Sequence, residues 1–332
     1  MAENVILHVW PGEWELPSLD PECLTVMCYL KYSQIEHTVQ VVDKNWDLFK
    51  NPLPRLTFKN EVFIGIDEII DFVKQKKNVD LFLSDKSYPD MVAILCLFKQ
   101  KFIPAFNSLC WLDNENTFNV IRRAYGKYLW FPFSLIKLRA MADNVKTAIM
   151  SNYRSTHVQF ESINQHIIYE SKECLNIISA KLGQNLFMFE NKPSLLDAYL
   201  FGYLSILNKA PFANSILKSH LSASSNMCSL IARIQIENFP INKKEIEGRK
   251  AQELAKRMKF LSWLNFFSLK SWSRQSPSSP TSKLTELEEW EKRKQQLAAF
   301  SIALSAMLIY AFAIGFIRID IMKTDVEYVE KN

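Results

Sequence analysis

The residues with chemistry to offer gather where a first apolar strand gives way to a first helix. The segment HVWPGEWELPSLDPEC brings Ser18, Asp20 and Cys23 to that junction. A hydroxyl or thiol beside a helix N-terminus can stabilise a thiolate, because the free amides and the helix dipole favour negative charge there. Ser18 is thus a candidate hydrogen-bond donor to a thiolate, and Cys23 a candidate nucleophile. Asp20 opposes both roles: it stands as close to the helix start, and its carboxylate repels an incoming thiolate. Cys23 falls inside the helix, where a cysteine is more often a small apolar core residue than a nucleophile. Other catalytic patterns are missing from the sequence: there is no GxSxG, HExxH, P-loop or GxGxxG. The cysteines at 23, 28, 96, 110, 174 and 228 form no CxxC pair, and the histidines at 8, 37, 157, 166 and 220 show no paired spacing. No metal or cofactor is expected.

The elements that carry these residues can be followed along the chain. Val5 to Trp10 is an apolar, β-branched run stopped by Pro11-Gly12, which predicts a strand and a turn. Residues 21–33 predict a helix, with Leu24, Met27, Cys28 and Leu30 near one face and Asp20-Pro21 as cap and first-turn residue. His37 to Val42 predicts a second strand. After the break at Asn51-Pro-Leu-Pro54, Arg55 to Lys59 and Val62 to Ile64 predict a hairpin across Asn60-Glu61. Residues 67–76 begin with acids and end with lysines, matching a helix dipole.

From Tyr88 onward the patterns are helical. Residues 88–112 predict a helix interrupted at Pro104, and residues 117–152 a helical stretch bent near Pro132. Residues 155–182 predict an amphipathic helix closed by Gly183. Ser194 and Asp197 form an S-x-x-D capping box ahead of a strongly apolar helix. The expected organisation is an α/β domain over 1–78, a linker near 78–88 and an all-helical domain over 88–240.

The end of the chain carries a different signal. Residues 298–317, AAFSIALSAMLIYAFAIGFI, hold no charge and no proline. At about 1.5 Å of rise per residue such a helix can cross a hydrocarbon core of about 30 Å. Lys292, Arg293 and Lys294 precede it, which predicts a cytosolic side for the large N-terminal body. Ala311 and Gly315 make a small-xxx-small pair that fits either a helix–helix contact or ordinary transmembrane composition. The short tail 318–332 follows. Between body and anchor, 241–297 contains a basic then aromatic segment, a Ser/Pro linker over 273–282 and a charged juxtamembrane helix. Residues 260–272, with Trp263, Phe267 and Trp272, suit packing on the core or on a lipid surface. The net charge of +5 is concentrated in 241–272, and no other basic surface is evident, which argues against nucleic-acid binding.

The order β-α-β-β-β-α followed by helices resembles glutathione transferases, with their thioredoxin-like N-terminal domain and all-α C-terminal domain. The resemblance implies an extra helix over Asp43 to Phe49. It also puts Pro54 at the place of a cis-proline before the third strand, although the sequence alone favours an ordinary trans loop proline. In that family an acidic residue followed by Ser holds the γ-glutamyl end of glutathione. Here the match is Asp67-Glu68, which lacks the hydroxyl donor, and a tyrosine is missing from the first strand–helix junction. The resemblance therefore implies a retained fold and a lost chemistry. The Ser194–Asp197 box matches the start of that family's central helix.

Four segments then resemble the membrane-anchored type of the metaxin family: WPGEWELPSLDPECL, FKNEVFIGIDEIIDFV, YLWFPFSLIKLRAMA and PSLLDAYLFGYL. The resemblance implies a mitochondrial outer-membrane protein facing the cytosol and a non-enzymatic subunit of the sorting and assembly machinery. Its implied partners are a second metaxin-like subunit, a β-barrel assembly protein, contact-site and kinesin-adaptor proteins, and the lipid membrane. The competing expectation is a tail-anchored glutathione transferase whose thiol site uses Ser18 or Cys23, with Pro54, Asp67 and Glu68 around the bound peptide.

Overall fold

The computed structural model describes residues 5–42, 51–129, 133–152, 160–189, 191–213 and 215–240, with Ala255, Met258, Leu297, Ser301 and Ser305. Four strands form one mixed sheet: β1 (Val5–Val9), β2 (His37–Val41), β3 (Arg55–Phe58) and β4 (Glu61–Ile64), in the order β2-β1-β3-β4. β1 runs parallel to β2 with Val5 opposite His37, and antiparallel to β3 with Leu7 opposite Leu56. Alternation in β1 sends Val5, Leu7 and Val9 into the core. The β3–β4 turn falls on Lys59-Asn60, one residue before the predicted position, since Phe58 pairs with Glu61. Lys59 takes the left-handed φ of 54° that this tight turn needs.

Helix α1 (Pro21–Ser33) starts at Asp20, whose carboxylate accepts the Cys23 N–H at 2.9 Å, and ends at Gln34 in the left-handed region. Its residues Cys23 to Leu30 are all buried, so it has core on every side. Helix α2 (Ile66–Lys76) follows Gly65, where φ is +84°. It lays Ile69, Ile70, Phe72 and Val73 against the sheet, with the Phe72 ring 4.6 Å from Phe63 and 5.3 Å from Phe58. The first half of the expected linker is folded rather than loose. Val79–Phe82 makes one 3-10 turn capped by Asn78, and the buried Asp80 within it accepts the Leu195 N–H at 2.9 Å.

Helix α3 spans Ser87–Trp111 without a break. The interruption expected at Pro104 does not occur. The turn Phe98–Phe102 is widened to a π-type turn in which the Ile103 N–H reaches the Phe98 carbonyl, and Pro104 enters the next segment in its first turn. A first-turn proline needs no N–H partner, and the wider turn gives the ring room. Among the described residues α3 is the one helix long and apolar enough to cross a membrane. Its Met91, Leu95, Phe98, Phe102 and Phe106 are buried in the core of the body.

The remaining helices are α4 (114–126), α5 (Phe133–Asn152), α6 (Phe160–Leu182), α7 (Leu195–Lys209), α8 (Ile216–Ala223) and α9 (Ser225–Asn238). α6 closes at Gly183 with φ +53°. The expected helix over Asp43–Phe49, the bend at Pro132, the stretch 153–159, the Ser/Pro linker and most of the expected anchor, Ala311 and Gly315 included, lie outside the described residues. Ser301 and Ser305, within the expected span 298–317, and Leu297 just before it are helical, and the Ser301 hydroxyl donates to the Leu297 carbonyl at 2.7 Å.

α7 is the axis of the fold: every residue from Leu195 to Leu207 is buried. The capping box at its start is formed. Asp197 accepts hydrogen bonds from the Ser194 N–H at 2.8 Å, the Ser194 hydroxyl at 2.7 Å and the Met188 N–H at 2.9 Å. Burial still pushes this carboxyl up to about 6, against those bonds. α7 meets α1 at Gly202. A Cβ there would stand 2.6 Å from the Pro21 carbonyl oxygen and would clash with the Thr25 hydroxyl. Gly202→Ala should therefore cost about 1–3 kcal/mol through overpacking, read as a lower urea midpoint at unchanged slope. An unchanged midpoint would contradict the close approach.

Candidate ligand cleft

A cleft of about 330 Å³ opens beside the N-terminus of α1. Asp20 and Glu22 line it from α1, Pro52 and Leu53 from the loop before β3, and α3, α4, α5 and α7 supply the other walls. The aromatic part is built from Trp10, Trp111 and Tyr125. The Tyr125 ring stands edge-on to Trp10 at 5.0 Å and tilted to Trp111 at 5.4 Å. The Tyr125 hydroxyl donates to the Asp20 carboxylate at 2.9 Å, which ties α4 to the cap of α1. On the polar side the cleft is lined by Asn107, Asn144 and Lys137.

The carboxyls here are poor ions. Burial raises Asp20 above its ordinary value, although the Cys23 N–H and the Tyr125 hydroxyl hold it back. Burial, then the nearby Asp20 and Asp67 charges, push Glu22 up to about 8, with Lys99 as the opposing cation. The Cys23 thiol lies well above its usual value, through burial first and the Asp20 charge second.

The residues expected to handle a thiol are scattered by the fold. Ser18 is wholly buried, and its hydroxyl accepts the Asp20 N–H at 3.3 Å. Cys23 is also wholly buried, with its side chain in the core. Neither lines the cleft. The Leu53–Pro54 peptide is cis, and the Pro54 carbonyl accepts the Gly65 N–H at 2.9 Å. Asp67 and Glu68 are engaged elsewhere: Asp67 pairs with Lys99 at 3.0 Å, and Glu68 accepts the Ile64 N–H at 2.8 Å. Glu22, Trp10, Trp111, Tyr125 and Lys137 were invisible as site residues in the sequence. Glu22 reads there as an ordinary first-turn acid, and Tyr125 is one aromatic among several in AYGKYLW. Among the described residues no group of three or more His, Cys, Asp or Glu could hold a metal ion.

Residues 23–142 match a family described as outer mitochondrial membrane transport complex protein, and residues 171–234 match one described as glutathione S-transferase, C-terminal domain. The chain is 32% identical over 241 residues to metaxin-3 of Danio rerio, covering 72% of this chain and 77% of that one. It is 34% identical over 224 residues to metaxin-3 of Xenopus laevis, covering 67% and 72%. Metaxin-1 of Bos taurus is 29% identical over 245 residues, covering 72% and 77%. A glutathione transferase F2 from Populus trichocarpa superposes over 74% of this chain and 99% of its own with a TM-score of 0.46 at 15% identity. The second family match lies on α6 to α9, the helices around the α7 axis, and with the mixed sheet it makes the fold glutathione-transferase-like.

Two outcomes follow from the geometry. On the native protein a maleimide should modify the exposed Cys96 first and the half-buried Cys228 more slowly, while Cys23 stays unmodified until unfolding; rapid labelling of Cys23, read by peptide mass, would contradict its burial. The folded chain keeps a proton on Glu22 that the unfolded chain gives up. Glu22 therefore lowers stability as pH rises from about 4, the ordinary range of a glutamate, through about 8. Glu22→Gln should match the wild type near the lower limit and melt at higher temperature near the upper one. Equal melting at both limits would show that this carboxyl is solvated.

Proposed function

The chain belongs to the metaxin family, and from that premise we propose that it is a non-enzymatic, tail-anchored subunit of the machinery that sorts and assembles β-barrel proteins in the mitochondrial outer membrane. Its relatives give it a role connected with transport at that membrane. In our reading residues 298–317 are the anchor and the body faces the cytosol, as the basic run before the anchor suggests. The body divides near residues 78–88 into a thioredoxin-like part and a helical part, and it works as a docking platform for a second metaxin-like subunit and a β-barrel protein. Attachment to contact-site and kinesin-adaptor proteins belongs to the same reading.

One observation carries the non-enzymatic half of this proposal. The N-terminus of α1, where a substrate thiolate would be held, is already occupied by the Asp20 carboxylate, which takes the Cys23 N–H for itself. A thiolate brought there meets a carboxylate and a second acid at Glu22. Its two possible hydroxyl or thiol helpers, Ser18 and Cys23, are sealed in the core. The helix N-terminus is filled by a side-chain acid where activation of glutathione needs a free donor or a cation.

Millimolar glutathione should leave the thermal midpoint unchanged, since a ligand stabilises only by binding the native state, and no electrophile should be conjugated. A rise in midpoint together with conjugation, both lost in Ser18→Ala or Cys23→Ala, would establish the transferase reading instead. Affinity isolation from detergent-solubilised mitochondria should recover the chain with a β-barrel protein and a second metaxin-like chain. Deletion of 298–332 should release it to the soluble fraction; retention in alkali-washed membranes would refute the anchor.

A further inference from the structure

We propose that the cleft beside α1 binds a small organic cation, an amine or guanidinium group on an apolar body, with the Glu22 carboxylate as its counter-ion. This goes beyond the transport role and does not depend on it. The cleft's volume of about 330 Å³ lies at the small end of the range for ligand sites, about 300–1,000 Å³.

Glu22 is the reason for choosing a cation. Its carboxyl lines the cleft and has no hydrogen-bond or ion-pair partner among the described residues. Apart from Lys137, the charged and titratable groups around it are committed elsewhere or of the same sign. Asp20 holds the Cys23 N–H and the Tyr125 hydroxyl. Asp67 on α2 is ion-paired to Lys99 on α3, whose ammonium also lies 4.8 Å from the centre of the Tyr199 ring. Tyr203 on α7 is buried, with its hydroxyl held neutral well above its usual value by burial. Lys137 on α5 is a cation on the cleft wall, one ammonium against two carboxyls. A half-buried acid without a partner is costly as an ion and stays protonated; a bound cation supplies the missing charge.

The walls fit the same ligand. Trp10, Trp111 and Tyr125 give an aromatic lining suited to a cation and its apolar body. Pro52, Leu53 and Phe106 add apolar surface. An anionic ligand gains only Lys137 and faces both acids. Because the cation needs Glu22 ionised, binding releases a proton, and affinity climbs as pH rises towards about 8.

The test uses the full chain in detergent micelles with benzamidine and benzylamine as probes, and benzyl alcohol and benzoate as isosteric controls. Near pH 8, the value about which Glu22 titrates, both cations should raise the thermal midpoint while the alcohol and the acid do not. Calorimetry in two buffers of different ionisation enthalpy should show proton release on benzamidine binding. Glu22→Gln should weaken benzamidine about tenfold or more, the usual size of a charge-assisted contact, and Lys137→Ala should strengthen it. Equal shifts from benzyl alcohol, a Glu22→Gln variant that binds benzamidine as well as the wild type, or no binding to a wild type that melts cooperatively would each overturn the assignment.

Discussion

The fold depends on the complete burial of helix α1 from Cys23 to Leu30. The sheet covers one flank and α7 the other, and the two helices come so close at Gly202 that a methyl group has no room beside Thr25 and the Pro21 carbonyl. This contact fixes where the N-terminus of α1 points. It sets Asp20 within reach of Tyr125 and leaves Glu22 on the cleft wall. Further ties hold the same junction: Glu13 pairs with Lys127 at 2.8 Å, Glu15 with Lys209 at 3.0 Å, and the Gln235 amide donates to the Glu15 carbonyl at 3.0 Å. The exposed pairs among these contribute little stability individually. Their value lies in fixing the loop that carries Ser18 and Asp20.

The cleft lies at a helix N-terminus yet is lined by acids. A helix N-terminus attracts anions through its unpaired amides. Here a side chain of the chain itself takes that place, so the attraction is spent internally and the walls present acids. Asp20, Glu22, Asp80 and Asp197 are all raised by burial before any other effect. Four carboxyls shifted the same way mean that the folded body binds protons more readily than the unfolded chain. The tyrosines around them, Tyr125 and Tyr203 among these, are kept neutral by the same burial.

Much of this architecture was legible in local patterns. Asp20-Pro21, the acid-to-lysine gradient of 67–76, the glycine at 183 and the Ser194–Asp197 box each act within one or two helical turns, so each can be read without the fold. Pro104 misled because a proline normally breaks a helix, whereas a widened turn one step earlier absorbs it; nothing in FKQKFIP announces that turn. Asp80 was missed because its partner, the Leu195 amide, is distant in sequence. The burial of Cys23 agrees with its place inside the helix, whereas the burial of Ser18 could not be read from residue type. Glu22 was passed over for the opposite reason, since a first-turn glutamate usually faces water and here it faces a cleft.

The hydrogen bond from the Leu195 amide to Asp80 and the nesting of Gly202 against Thr25 have a consequence for biogenesis. The sheet and α1 leave the ribosome first, yet the surface that must cover α1 is made of residues 195–209, synthesised much later. Until that stretch emerges, an apolar helix flank and the Asp80 carboxyl lack the partners that cover them. The nascent chain therefore cannot complete the packing of α1 until residues 195–209 have been made.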